Sequence, residues 1–316
     1  MSATPGIAKN SPAESMGRIV KLGVSLAYHV LRSGWNILCR ALGKKRSGTA
    51  VVLYYHNVPI RYRTKFEAQM KLVCRLARPV ALNDLNNLSA GCHSVAITFD
   101  DGLDSVAENA APTLDRLGVP ATVFVVADRL GVVPEWGQAY YAPHERVMSQ
   151  EQLHGLPKVM SVGSHTLTHP DLTAVSEERA VQEIAASRQK LETLLRRPVL
   201  HFAFPYGSFN PTAVSRCHAA GYERVFTTEP ALTPKEAKAF VVGRVAADPW
   251  DWRLEFRLKM LGAYSWLPYV TAAKRRIRQF FSPDHQDPES SKPAERDEIS
   301  TAEDRVVKTS FQSHGV

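Results

Sequence analysis

The sequence lacks the features that would mark it as a disulfide-rich, transmembrane, secreted or nucleic-acid-binding protein. The chain has 4 cysteines that lie far apart without a C-x-x-C pair, so they suggest neither a disulfide framework nor a zinc ribbon. The apolar run Leu22 to Leu31 contains His29 and is too short to span a bilayer. No small-residue cleavage site follows it, as a signal peptide would require. No basic stripe interleaved with aromatic residues is found, so we expect no nucleic-acid partner.

The charge of the chain is moderately positive. It has 39 Lys and Arg against 31 Asp and Glu, a net charge of +8, and much of this excess lies in residues 44–46 and 274–278. Such an excess suits an anionic partner, for example a membrane surface or an acidic polymer, but solvated flanking charge explains it equally well.

With 316 residues, 44% of them hydrophobic, the chain can build one large α/β domain with extensions or two small domains.

Strand and helix patterns alternate between residues 50 and 246. The apolar runs 50–55, 95–99 and 121–126 predict buried strands, and helical periodicity fills the segments between them. This alternation is typical of a parallel sheet or barrel. The other predicted strands are 79–82, 160–163, 199–204, 224–228 and 241–245, and the predicted helices are 64–78, 106–117, 176–195, 210–220 and 251–266.

The predicted domain organisation is a central barrel with an extension at each end. Residues 1–15 are predicted to be disordered, 16–49 to form an amphipathic helix and a basic linker, 50–262 the barrel, 263–281 a basic helical extension, and 282–316 a disordered tail. The N-terminal helix either docks on the barrel or lies on a membrane surface, so residues 16–42 are a candidate for peripheral membrane contact. We therefore expect a cytoplasmic protein or one bound at the cytoplasmic face of the membrane.

The stretch with the clearest chemistry is Thr98-Phe99-Asp100-Asp101-Gly102, directly after the apolar run 95–97. A strand that ends in two acids and a glycine delivers carboxylates to the edge where parallel α/β folds place their active sites. Two adjacent carboxylates repel each other unless a cation or a shared proton offsets the charge. Asp and Gly also favour turns and helix N-caps, so a structural turn is the alternative interpretation.

A second stretch favours the metal interpretation. His165 and His169, in the sequence HTLTH, would lie on one face of a helical turn, and both imidazoles could then reach one ion. A carboxylate and two histidines leave coordination positions open, which is the arrangement of a catalytic metal rather than a structural one.

A third stretch, Phe202-Ala203-Phe204-Pro205-Tyr206-Gly207, completes a recognisable set. In this order the three stretches resemble the motifs of the polysaccharide deacetylases, the NodB-homology group of carbohydrate esterase family 4. The family patterns are TFDDG, then HSxxH or HTxxH, then RxPY or RxPF, and this chain has TFDDG, HTLTH and AFPY. Ala203 therefore stands where many members have arginine.

The resemblance implies a distorted barrel of the (β/α)7 type over residues 50–262. It also implies that Asp101, His165 and His169 bind a divalent metal, commonly zinc, although cobalt, nickel or manganese could serve, and that Asp100 is the general base. The expected reaction is removal of acetyl groups, chiefly N-acetyl, from a polysaccharide or lipid-linked sugar. Two alternatives stay open: hydrolysis of a non-sugar linear amide, and an inactive module that only binds sugar.

The third motif and the end of the chain depart from the family pattern. The resemblance implies that Pro205 and Tyr206 contact the oxyanion and the substrate. The general acid of the family is usually a histidine in a late LxH motif, and this chain has no histidine in that setting. We expect His56, just after the first predicted strand, to supply that proton. With Ala203 in the arginine position, Arg244 at a strand end is the candidate to orient the catalytic base.

Overall fold

The computed structural model describes residues 12–44, 47–137, 144–233 and 239–273. At its centre lies a parallel sheet whose strands are ordered β8-β7-β6-β5-β4-β3-β1-β9, with β2 beside β3. The strands are β1 (Thr49–Tyr55), β2 (Arg78–Pro79), β3 (His93–Phe99), β4 (Ala121–Val125), β5 (Met160–Ser164), β6 (His201–Ala203), β7 (Arg224–Thr227), β8 (Val241–Gly243) and β9 (Val245–Ala246).

The sheet nearly closes on itself through β8 and β9, the two short strands at the ends of this order. Strands β8 and β9 are separated in sequence only by Arg244, yet β8 pairs with β7 while β9 pairs with β1 at the opposite end of the order. One chain segment therefore joins the two edges, and Arg244 lies at the junction. The α/β barrel predicted from the alternation of strands and helices is confirmed.

Helices surround this barrel, and several of them begin at residues whose side chains cap the first turn. Ser176 accepts a hydrogen bond from the Arg179 amide at the start of α5, and Asn210 accepts one from the Ala213 amide at the start of α6. The helices are α1 (Pro12–Ala41), α2 (Arg63–Leu76), α3 (Ala111–Leu117), which follows a π-helical turn at Val106–Ala110, α4 (Gln150–His154), α5 (Glu177–Leu195), α6 (Pro211–Ala219) and α7 (Arg253–Met260).

The side chains of each strand alternate between two apolar clusters. In β1, Val51, Leu53 and Tyr55 belong to the large cluster against the helices, whereas Ala50 and Val52 belong to the small cluster that fills the barrel. The same alternation in β3 sends residues 95, 97 and 99 outwards and residue 96 inwards. Even-numbered residues at the ends of both strands are thus on the interior side of the sheet.

Several predicted boundaries shift. Helix α1 begins at Pro12 rather than at residue 16, residue 82 begins a 3-10 helix instead of ending a strand, the predicted strand 241–245 is interrupted at Arg244, and α7 ends at Met260, six residues early. Residues 267–273 are helical. The predicted disorder of residues 1–15 is wrong for residues 12–15, which belong to α1. Residues 1–11, the predicted extension beyond residue 273 and the predicted disordered tail 282–316 lie outside the described residues.

Candidate metal centre and active site

The two adjacent acids of the site follow β3 and diverge at once. The Asp100 amide donates to the Tyr55 carbonyl at 2.8 Å, which continues the pairing of β3 with β1. Asp101 then has φ 66° and Gly102 φ 68°, a left-handed conformation that a residue with a Cβ adopts at some cost. This turn separates the two carboxylates, so that each has its own set of partners.

The two histidines lie in a loop after β5, and the predicted helical turn is wrong. Thr166 and His169 both have left-handed φ angles, 70° and 67°, which no α-helical turn contains. The His169 amide donates to the Thr166 hydroxyl at 2.9 Å instead of to a helical carbonyl. The four-residue spacing of the histidines therefore brings the imidazoles together through a tight irregular loop.

Glu183, on α5, holds this loop and was not singled out from the sequence. Its carboxylate accepts hydrogen bonds from the Leu167 and Thr168 amides, both at 2.9 Å, and from the Thr168 hydroxyl at 2.5 Å. Glu183 is 4% exposed and lies in the buried stripe of α5 with Ala180 and Ile184. A lone acid within an apolar helical stripe was the signal available in the sequence, because such a charge is seldom buried without partners.

Asp101, His165 and His169 meet at one point. Oδ1 of Asp101 lies 3.5 Å from Nε2 of His165 and 3.1 Å from Nε2 of His169, and all three residues are buried. Nδ1 of His165 lies 2.8 Å from the Ala203 carbonyl and must be the protonated nitrogen to donate to it, which leaves the lone pair of Nε2 facing Asp101. The structure thus brings together the three side chains that the sequence grouped.

The donor set and its protonation suit a divalent cation. One carboxylate oxygen and two imidazole nitrogens are the ligand types of catalytic zinc sites. Burial lowers the pKa of His165 to about 4, so this imidazole is neutral at neutral pH. Burial alone would raise the pKa of Asp101, but a hydrogen bond to His169 and the nearby imidazoles hold it well below its ordinary value. Both groups therefore have the charge state that binds a metal.

Asp100 forms an ion pair with Arg244 inside the barrel. The guanidinium NH1 and NH2 groups donate to Oδ1 and Oδ2 of Asp100 at 2.6 and 2.8 Å, and the Arg244 side chain is fully buried. Burial would raise the pKa of Asp100, but the attraction of Arg244 and of His165 holds it below its ordinary value. Asp100 is therefore an ionised carboxylate next to the candidate metal centre.

The rest of the Arg244 side chain is fixed by the barrel interior. Its Nε donates to the Thr227 carbonyl and its NH1 to the Thr98 hydroxyl, both at 3.2 Å. The guanidinium carbon lies 4.8 Å from the ring centre of Tyr54 and 5.3 Å from that of Phe124. Arg244 therefore reaches Asp100 from the β8–β9 junction, and Asp100 has a guanidinium partner although Ala203 on β6 stands in the position of the usual motif arginine.

Aromatic side chains border the exposed side of His169. Trp136 stacks on the His169 ring with centroids 4.4 Å apart, and Tyr206 meets the same ring edge-on at 4.7 Å. Tyr206 follows Pro205 in a single 3-10 turn after β6, has φ 58°, and is 60% exposed. The third motif therefore lies at the same rim as the histidine loop, while the assignment of Pro205 and Tyr206 to the substrate stays a prediction.

His56 is exposed and follows β1 at the same end of the barrel. Its charge is among those that lower the pKa of Asp100, Asp101 and Asp248, so it lies within electrostatic range of all three. Its ring contacts Tyr54, with centroids 5.7 Å apart. The structure brings His56 to the mouth of the site, and its role as an acid stays a prediction.

The fold and the site together define a class of protein: a nearly closed (β/α) barrel with a candidate metal centre at the carboxyl ends of its strands. Comparison with known families makes this more specific. Residues 88–225 match the family model described as Polysaccharide deacetylase, and this segment contains Asp100, Asp101, His165 and His169. Over this segment, the resemblance to polysaccharide deacetylases that the three motifs predicted is confirmed.

Individual relatives are similar over part of their length. YxkH of Bacillus subtilis (strain 168), whose polysaccharide deacetylase name is itself provisional, is 26% identical over 160 residues, 49% of this chain and 52% of that protein. Chitooligosaccharide deacetylase of Rhizobium leguminosarum bv. trifolii is 28% identical over 141 residues, 42% and 55% of the two chains. This chain thus spans about half the length of these relatives. The solved structure of IcaB from Ammonifex degensii superposes with a TM-score of 0.57 at 25% identity, covering 70% of this chain and 98% of that one.

Proposed function

We propose that this protein is a divalent-metal-dependent hydrolase that removes acetyl groups, chiefly N-acetyl, from a polysaccharide or a lipid-linked sugar. The observation that carries the proposal is the buried cluster of Asp101, His165 and His169 beside the Arg244-bound carboxylate of Asp100. A second carboxylate next to a metal cluster is what hydrolysis requires, because the attacking water must lose a proton. The names of the relatives supply the substrate class.

The residues of the proposed metal centre are Asp101, His165 and His169. A divalent ion bound there would supply Lewis-acid polarisation of the acyl carbonyl and would lower the pKa of a coordinated water. We infer zinc, because one carboxylate and two imidazoles with open positions form a catalytic zinc ligand set, while cobalt, nickel and manganese accept the same donors.

Asp100 is proposed as the general base. It is ionised, it is buried, and Arg244 fixes both of its oxygens, each of which keeps a further lone pair for a proton. In the reaction, the water oxygen bonds to the acyl carbon while Asp100 accepts the water proton. The backbone N–H of Tyr206 is proposed to donate to the oxyanion that forms. Breaking the C–N bond then yields acetate and a sugar amine.

His56 is proposed as the general acid that protonates the leaving amine. Its position after β1 places it at the barrel mouth, and it interacts electrostatically with both acids of the first motif. The charge of Asp248 also acts on His56. A general acid at this position would give its proton to the amine as the C–N bond breaks.

The direct test is acetate release from a panel of acetylated sugars by the metal-loaded protein. The panel contains N-acetylglucosamine oligomers, an O-acetylated xylan and a linear non-sugar amide. We expect acetate from the N-acetylated sugars, and a fall of at least about 10²-fold for Asp100→Asn, which removes the base. Asp115→Asn, on the exposed side of α3, is the matched control and should retain full activity. Release from the linear amide alone would contradict a sugar substrate, and no release from any member would contradict the proposed activity.

A further inference from the structure

Helix α1 turns its polar side towards the barrel, the reverse of an ordinary surface helix. A helix that packs on a soluble domain normally buries its apolar stripe and exposes its polar face. Here the side chains that contact the α7 region are almost all polar. Arg18 bonds to Glu255 through Nε at 2.8 Å, Trp266 Nε1 donates to the Ser25 hydroxyl at 3.0 Å, the Tyr28 and Ser265 hydroxyls lie 3.2 Å apart, and Arg32 donates to the Leu261 carbonyl.

The apolar side of α1 faces outwards as a consequence. Of the 20 exposed large hydrophobic side chains among the described residues, 11 lie between residues 16 and 42. Leu31 is 74% exposed, Ile37 70% and Trp35 63%. At about 100° per residue these side chains cover an arc of roughly 180°, along a 30-residue helix that is about 45 Å long. We call this surface the outer face of α1. A contiguous exposed apolar surface of this kind marks a site of interaction with a membrane or another protein.

The charged side chains described around the outer face are all basic. Residues 15–44 contain 5 basic residues and no acid. Arg18 and Arg32 are engaged with the barrel, whereas Lys21, Arg40 and Lys44 are exposed. By helical spacing, Lys21 and Arg40 lie outside the apolar arc, on the polar side of the helix. An apolar face with basic residues beyond it and a tryptophan within it is the pattern of a helix that lies in a membrane interface.

From these observations, we propose that the outer face of α1 binds an anionic lipid bilayer, with the helix in the plane of the membrane and the barrel held above it. A second copy of the chain is a poorer occupant. Two outer faces packed together would bring the exposed lysines and arginines of both copies close to each other, and each helix has a single acid, Glu14 in its first turn, to offset them. The described residues contain no helix that is long and apolar enough to cross a bilayer, so the contact is interfacial. This proposal is independent of the catalytic one.

The test is flotation of the full chain with vesicles of two compositions: phosphatidylcholine alone, and equal parts of phosphatidylcholine and phosphatidylglycerol. We expect binding to the anionic vesicles and weaker binding to the neutral ones. The double variant Leu31→Glu/Trp35→Glu should bind at least about tenfold less, because it removes apolar area that enters the interface. Lys21→Gln/Arg40→Gln should bind anionic vesicles about tenfold less, and its binding should depend less on salt.

Controls separate lipid binding from misfolding and from self-association. Val181→Glu changes an exposed apolar side chain on α5 and should bind like the unmodified protein. The helix variants should keep the circular dichroism and the melting temperature of the parent, because the changed side chains are exposed. Binding that the Leu31→Glu/Trp35→Glu variant retains, or no binding to anionic vesicles, would overturn the proposal. A dimer in sedimentation velocity that this variant abolishes, without vesicle binding by the parent, would instead identify a second copy as the occupant.

Discussion

At the scale of single residues, the site depends on a guanidinium and a carboxylate that are far apart in sequence. Arg244 and Asp100 are separated by 144 positions and form two hydrogen bonds inside the barrel. The sequence could suggest this pair only because Arg244 follows a strand and Ala203 leaves the base without its usual partner. It could not show that the arginine enters through the junction that closes the barrel, because that depends on which strands pair.

Replacing Arg244 tests its role as a positioning residue. Arg244→Lys keeps the charge but cannot donate to both carboxylate oxygens in the same plane. We expect kcat to fall about 10²-fold with little change in KM, because the substitution disturbs the orientation of the Asp100 carboxylate and does not alter substrate binding. Arg224→Lys, at another buried arginine, is the matched control and should keep kcat. A KM effect at unchanged kcat would assign Arg244 to substrate binding instead.

His56 makes a separate prediction about the leaving group. His56→Ala should lower acetate release from an N-acetylated sugar by about 10²- to 10⁴-fold, the usual contribution of a general acid, without loss of bound metal. The same variant should retain most of its activity on p-nitrophenyl acetate, whose leaving group departs without a proton. His218→Ala, on the exposed side of α6, should have neither effect. An equal loss on both substrates would remove His56 from proton donation.

At the scale of elements, the metal site is built from loops that follow neighbouring parallel strands. The strands themselves were predictable, since β1, β3, β4 and β5 coincide with apolar runs to within about two residues. The loops were not, because none of their left-handed residues, Asp101, Thr166 and His169, is the glycine that usually indicates this conformation in a sequence. Their conformation is imposed by tertiary contacts, of which those of Glu183 to the histidine loop are the clearest.

Glu183 should therefore affect metal affinity although it is not a ligand. Glu183→Gln weakens three hydrogen bonds that shape the loop between His165 and His169. We expect about a tenfold rise in the Kd for zinc in isothermal titration calorimetry, within the range of effects measured for residues that support metal ligands. Glu192→Gln, also on α5, accepts a backbone bond from Val199 outside the site and serves as the control. Equal Kd values for both variants and the parent would contradict this role.

At the scale of the whole molecule, the barrel interior combines apolar packing with a few buried titratable groups. His201 on β6 is 4% exposed, and burial together with the adjacent Arg224 cation lowers its pKa to about 4 from 6.5. Between these two pH values the unfolded chain binds this proton more readily than the folded chain does. The contribution of a neutral His201 to stability is therefore complete above about pH 6.5 and declines as the pH falls towards 4.

Urea unfolding across this pH range tests that account. In the presence of a chelator, the free energy of unfolding of the parent should fall with decreasing pH by about 1.4 kcal/mol more per pH unit than that of His201→Gln, which cannot titrate. His218→Gln replaces an exposed histidine and should follow the parent. Parallel curves for the parent and His201→Gln would show that His201 is not held neutral by the fold.

The central claim is that Asp101, His165 and His169 bind one divalent ion. The most direct measurement is anomalous X-ray diffraction at the zinc absorption edge from crystals of the zinc-loaded protein. The account predicts a single strong peak bonded to a carboxylate oxygen of Asp101 and to Nε2 of both histidines, at about 2.0 to 2.2 Å from each. A peak bonded to other side chains, or no peak among these three residues at saturating zinc, would contradict it.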